Sequence, residues 1–197
     1  MSIRAIDIKC PNCGGAVDTR QKTCRWCKQP VVISTFNSVY DMPIPLINRY
    51  ANVYRQALTE SPESQELNYS IAFCYLRLKL YDKALCAFEK AMEGNFDNSE
   101  TYFYAAICML RGQKAFLAQR VTIDKIEEYL NAALTIEKRG VYYYLWAYIK
   151  YDYFNRKFYN TSPTYQELLE MARNAGFSPF DTEQLHSILG VARPEVF

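Results

Sequence analysis

Cys10-Pro-Asn-Cys13 and Cys24-Arg-Trp-Cys27 set two pairs of thiols ten residues apart near the start of this 197-residue chain. Four thiolates at this spacing come within reach of one tetrahedral metal ion. A single Cys-x-x-Cys would be ambiguous, because it also suits redox chemistry; the doubled form is specific for metal. Protein fills all four positions, which leaves no place for substrate or activated water. The metal is therefore expected to be structural.

Nothing else in the chain has the pattern of a catalytic constellation. His186 is the single histidine, and its Gln-Leu-His-Ser setting predicts a surface or capping residue. No phosphate-cradling glycine loop, His-Glu-x-x-His or Gly-x-Ser-x-Gly occurs. Glu127-Glu128 and the pair Glu167 and Glu170 fall on amphipathic helices and are expected to be solvated faces. The expectation is a protein that is not an enzyme. Cys74, Cys86 and Cys108 lie in Ala-rich helical surroundings and are expected to be small core residues.

The elements that position the cysteines follow from local pattern. Residues 1–34 form a first module, with Gly14-Gly15 after the first cysteine pair and Val31-Val32-Ile33 as its closing strand. With its paired Cys-x-x-Cys loops, the module resembles the short zinc-ribbon family. The resemblance implies a four-cysteine Zn²⁺ site; iron with the same ligands stays open. Lys28 stands where that family often has glycine. So small a module buries too little to fold without its metal.

Residues 35–45 read as a linker. Pro43 and Pro45 break regular structure, and Pro45 suits the first turn of a helix. Phe36, Tyr40, Met42 and Ile44 predict a segment that packs on the helices. Residues 46–197 then show helical periodicity, with segments near 46–61, 63–80, 81–94, 99–111, 122–138, 141–158, 164–175 and 182–189. The aromatic run from Tyr142 to Phe154 covers every side of its helix, which predicts burial with part of it at an interface.

An internal recurrence selects the architecture. Asn68, Ile71, Ala72 and Tyr75 return, at one constant offset, as Tyr102, Ala105, Ala106 and Met109. With Tyr81-Asp82-Lys83-Ala84-Leu85, Phe88 and Ala91, this resembles the tetratricopeptide repeat, whose period of about 34 residues the offset matches. A second unit follows with an insertion around residues 112–122. The expected fold is mainly α, a short helical-repeat array behind a small N-terminal β zinc ribbon. The resemblance implies a concave protein-binding surface, with Tyr69, Phe73 and Arg77 in one unit and Phe103, Tyr104 and Arg111 in the next.

Composition bounds the alternatives. Half the chain is hydrophobic and 22% is charged, enough for a sizeable core. Residues 1–30 carry Arg4, Lys9, Arg20, Lys22, Arg25 and Lys28 against Asp7 and Asp18, a local +4 in a chain of net +2. Four thiolates on one divalent ion contribute −2, so the positive patch is modest. Weak DNA or RNA contact through the ribbon, aided by Trp26, is the alternative to protein binding. The longest apolar stretch is too short to span a bilayer. Seven cysteines cannot all pair, and the N-terminus lacks a secretory pattern, so a cytoplasmic adaptor that binds a protein partner is expected. The sequence does not assign an oligomeric state.

Overall fold

A computed structural model describes residues 5–93 and 95–197. Its residues form two compact units, one up to Asn95 and one from Phe96 onward.

The first unit begins with a two-stranded antiparallel hairpin, β1 (Asp7–Lys9) and β2 (Ala16–Asp18), in which Ile8 faces Val17. Both of those side chains are buried on one face. A second, smaller loop closes through an isolated bridge between Thr23 and Pro30. The expected strand at Val31–Ile33 does not form. Val31 and Ile33 instead bury their side chains completely, and the polar groups around them bond to helices. Tyr50 Oη donates to the Pro30 carbonyl at 2.7 Å and Tyr54 Oη to the Val31 carbonyl at 2.8 Å. Ser70 Oγ accepts from the Ile33 amide at 3.1 Å and donates to its carbonyl at 3.0 Å. Helical hydroxyls therefore supply partners that a third strand would otherwise provide.

The linker also packs, as its apolar content predicts. It forms a single turn, α1 (Asn37–Tyr40), with Phe36 and Val39 buried. Pro43 caps α2 (Ile44–Glu60), and Pro45 occupies its first turn, where the missing N–H costs nothing. α3 (Gln65–Arg77) and α4 (Tyr81–Met92) fold back on each other across a three-residue connection. Ala72 and Ala84 are fully buried between them and allow close approach. Phe73 and Phe88 meet edge to face at 5.5 Å, each contributing about 1.5–3 kcal/mol by burial. The sequence places the end of α4 at Gly94, which lies outside the described residues. Cys74 is buried as expected, but Cys86 is exposed on the outer side of α4.

The second unit repeats the pairing with α5 (Ser99–Met109) and α6 (Arg120–Ile136). Ser64 and Asn98, separated by the same offset as the recurring residues, both cap the first helix of their pair. Ser64 Oγ accepts from the Leu67 amide and Asn98 Oδ1 from the Glu100 amide. The recurrence therefore extends to the caps. Each unit thus carries one helix pair of the tetratricopeptide-like pattern, and the fold is mainly α with the small β hairpin at its start.

α7 (Gly140–Ile149) is shorter than the expected helix. At Lys150–Phe154 the backbone widens into a π-turn, followed by a 3₁₀ turn at Asn155–Lys157. α8 (Tyr165–Asn174) and α9 (Pro179–Leu189) pack against α7, and each opens with a capping box, Thr164 with Glu167 and Ser178 with Asp181. Gly140 is needed at that contact, since a Cβ there would lie 2.7 Å from the Ala172 carbonyl oxygen. The tyrosines of α7 find partners inside this unit. Tyr142 Oη meets Ser99 Oγ at 2.9 Å, Tyr144 Oη meets His186 Nε2 at 3.2 Å, and Tyr148 Oη donates to Asp152 at 3.3 Å. These hydroxyls need no second chain. His186 is buried rather than capping a surface turn, its Nδ1 facing the Val191 carbonyl at 3.3 Å, and burial lowers its pKa.

Candidate metal centre

The hairpin turn and the Thr23–Pro30 loop present their cysteines to one point. Within each, the backbone builds the same turn. The Gly14 amide donates to the Cys10 carbonyl at 2.8 Å, and the Cys10 amide to Gly15 at 2.8 Å. In the second loop Lys28 donates to Cys24 at 2.9 Å and Cys24 to Gln29 at 2.8 Å. The two knuckles are thus local copies related by their hydrogen bonds, a consequence of their shared Cys-x-x-Cys spacing.

All four sulfurs lie within 4.8 Å of one another. Cys10 Sγ is 3.6 Å from Cys27 Sγ, and Cys13 Sγ is 3.7 Å from Cys24 Sγ. A tetrahedral ion with metal–sulfur bonds of about 2.3 Å has sulfur–sulfur edges of about 3.8 Å. The cluster therefore fits a four-thiolate metal site with its coordination closed by protein. No pair is bonded as a disulfide.

Backbone amides tune the sulfurs. The Gln29 amide, and then the Asn12 side chain, draw the Cys27 thiol down to about 6. The Cys27 amide lowers Cys24, with help from Trp26. Burial pushes Cys10 up to about 12, opposed by the amides of Cys13 and Asn12. Amide donors favour thiolate while burial disfavours it, and a bound cation supplies the charge that burial demands.

Gly14 at φ +77° and Lys28 at φ +61° hold the same left-handed place in the two knuckles. The departure at Lys28 leaves the turn intact but places a side chain where glycine is unstrained. Lys28→Gly is expected to relieve about 1 kcal/mol of that strain. Chelator competition should then show metal held several-fold more tightly. Unchanged or weaker retention would mean that this backbone is unstrained.

Gly15 has a different role. A Cβ there would lie 2.6 Å from Trp26 Cδ1, so the indole lies directly on the first knuckle. Arg25 sits 5.3 Å from the same ring, and Trp26 remains two-thirds exposed. Arg20 is paired with Asp18 at 3.2 Å, so the net positive charge of the patch rests on its other basic residues. Arg4, counted in that patch, lies outside the described residues.

The residues expected to meet a partner are placed unevenly. Phe73 is fully buried, packed between Phe36 of the linker at 6.1 Å and Tyr69 at 4.7 Å. Phe103 and Tyr104 are also buried, Phe103 against Tyr142 at 4.7 Å. These three rings are core: Phe36 of the linker packs on Phe73, Tyr142 of α7 packs on Phe103, and Tyr104 lies against Phe103. Tyr69 and Arg77 are half-buried, and Arg77 Nε donates to the Tyr40 carbonyl at 2.9 Å. Arg111, in the second unit, is exposed just past α5.

No family model matches the chain, and no curated protein matches it. Among solved structures the chain is similar to MamA MSR-1 C2, at 14% sequence identity and a TM-score of 0.47, over 77% of this chain and 83% of that one. Likeness at this level establishes no shared function. No helix among the described residues is long and apolar enough to cross a membrane.

Proposed function

We propose that this protein is a non-enzymatic adaptor, in which a structural Zn²⁺ ribbon is fused to tetratricopeptide-like helices that hold a protein partner. The observation that supports this reading is the closed four-sulfur cluster whose trailing segment, Pro30–Ile33, is hydrogen-bonded into α2 and α3. A metal so enclosed builds a platform rather than a reactive centre. Zn²⁺ suits the four thiolates, has no redox chemistry of its own and fits the sulfur spacing. Tyr69, Arg77 and Arg111 are the partner-facing candidates that remain accessible, and the buried rings hold the helices that carry them.

Two measurements test this. Elemental analysis of colourless, reduced protein should find one zinc per chain; a coloured protein carrying iron would reassign the metal. A pull-down from native extract should capture the same polypeptide before and after nuclease treatment, and lose it with Arg77→Glu plus Arg111→Glu while the helical circular dichroism is unchanged. Capture that disappears with nuclease would replace the protein partner with nucleic acid.

A further inference from the structure

The insertion between α5 and α6 is tied down at one place. Its 3₁₀ turn, Ala115–Leu117, is held from α7 and the π-turn: the Phe116 amide donates to Asp152 at 2.9 Å and the Ala115 amide to Tyr148 Oη at 3.4 Å. The Phe116 ring lies 4.5 Å from the Arg156 guanidinium and 5.0 Å from Lys157 Nζ. Arg120 at the start of α6 lies 5.1 Å from the Phe154 ring. Two segments distant in sequence are therefore clamped together.

Around this clamp the chain displays apolar side chains that the fold does not use. Phe158 is 94% exposed and Tyr159 is 55% exposed, while Leu117 and Val121 of the insertion are 67% and 71% exposed. Phe158 also holds φ +61°, a left-handed conformation that is unfavourable for a bulky residue. A glycine would close that turn with less strain, so the ring incurs a conformational cost while burying almost nothing. The cations of the clamp are held in place. Arg120 bonds Asp124 at 2.7 Å and Arg156 bonds Asp152 at 2.6 Å, with 60% and 38% of their side chains still exposed. Lys157 Nζ sits 3.8 Å over the Tyr153 ring. Counting Lys114 at the start of the 3₁₀ turn, these segments carry four cations against the two carboxylates, a net positive charge.

We infer that this face of the second unit, formed by the insertion and the end of the π-turn, docks an acidic protein segment carrying apolar side chains. The inference rests on the adaptor reading and names the partner's chemistry. Arg120 and Arg156 each direct one N–H to their own carboxylate, which leaves further N–H donors for a partner's carboxylates, and the exposed aromatic and aliphatic side chains supply the contact area. Pinned cations of this kind differ from the free lysine stems that reach to a lipid surface.

A random dodecapeptide library selected on the full, metal-loaded chain tests this. Enriched peptides should combine Asp or Glu with aromatic or aliphatic residues. Synthesised, they should bind Phe158→Gly plus Leu117→Ser at least tenfold more weakly, and weaken steeply with salt. Phe158→Gly relieves strain, so a folding defect is not expected, and circular dichroism checks it. Peptides without acidic bias, or none enriched over bare matrix, would overturn the inference. Peptides sensitive to Arg77→Glu but not to Phe158→Gly would also overturn it, yet would leave the adaptor reading standing. Co-sedimentation with vesicles of phosphatidylcholine containing a minor share of phosphatidylserine, if lost in Phe158→Gly, would overturn it in favour of a lipid surface.

Discussion

Stripping the metal, or replacing Cys24 by serine, is expected to lower the thermal midpoint of the first unit by at least about 12 °C. A closed four-thiolate site contributes on the order of 10 kcal/mol to the folding of the module that it organises. Most of that concerns the hairpin and the Thr23–Pro30 loop. The consequence reaches the helices because the trailing segment is part of their core. Tyr50, Tyr54 and Ser70 would lose partners at Pro30, Val31 and Ile33, at about 1 kcal/mol per bond. Val31 and Ile33 are fully buried, and their release removes further apolar burial. Even about 3 kcal/mol shifts the midpoint of a domain this size by about 12–24 °C. At low temperature the helical signal should persist, since α3 and α4 keep their mutual packing. Thermal melts followed by circular dichroism and by tryptophan emission in a Trp146→Phe background, with and without chelator, would show it. A midpoint that does not move after metal loss is confirmed would mean that the ribbon and helices are energetically separate.

Glu127→Ala should destabilise the protein by about 3–5 kcal/mol, an unusually large effect for one surface-adjacent carboxylate. Lys150 is buried at the start of the π-turn, with Nζ 2.7 Å from Glu127 Oε1 and 4.6 Å from the Phe154 ring centre. Trp146 Nε1 donates to the same oxygen at 2.7 Å. Removing the carboxylate leaves an ammonium in an apolar setting and an indole N–H without its acceptor. Removing both charges removes most of the cost: Glu127→Leu with Lys150→Met should cost only about 1–3 kcal/mol, the penalty of the Trp146 N–H left without an acceptor, because a buried ion pair gives small net stability over well-packed apolar side chains. Urea unfolding of both single variants and the double variant gives the coupling directly. A cost below about 1 kcal/mol for Glu127→Ala would show that water reaches the ammonium.

Local pattern by itself determined a large part of this protein. The Cys-x-x-Cys pairs specify two knuckles with matching hydrogen bonds, since each turn closes through bonds among a few neighbouring residues. Helical segments are legible for the same reason: periodicity, prolines and caps act over one or two turns, and the internal recurrence marks the pairs. Tertiary structure decided what those elements do with their side chains. Val31 and Ile33 have strand-forming shapes, yet the hydroxyls of Tyr50, Tyr54 and Ser70 satisfy the backbone around them and the helices bury them. Phe73, Phe103 and Tyr104 have the register of a binding groove, but all three are buried, Phe73 against the linker and Phe103 against α7. Cys86 and His186 exchanged their expected places, one exposed and one buried. Where a side chain was buried against expectation, the partner that covers it lies far along the chain, as Tyr142 does from Phe103 and Tyr144 from His186. Burial is set by such partners rather than by the periodicity of the element itself.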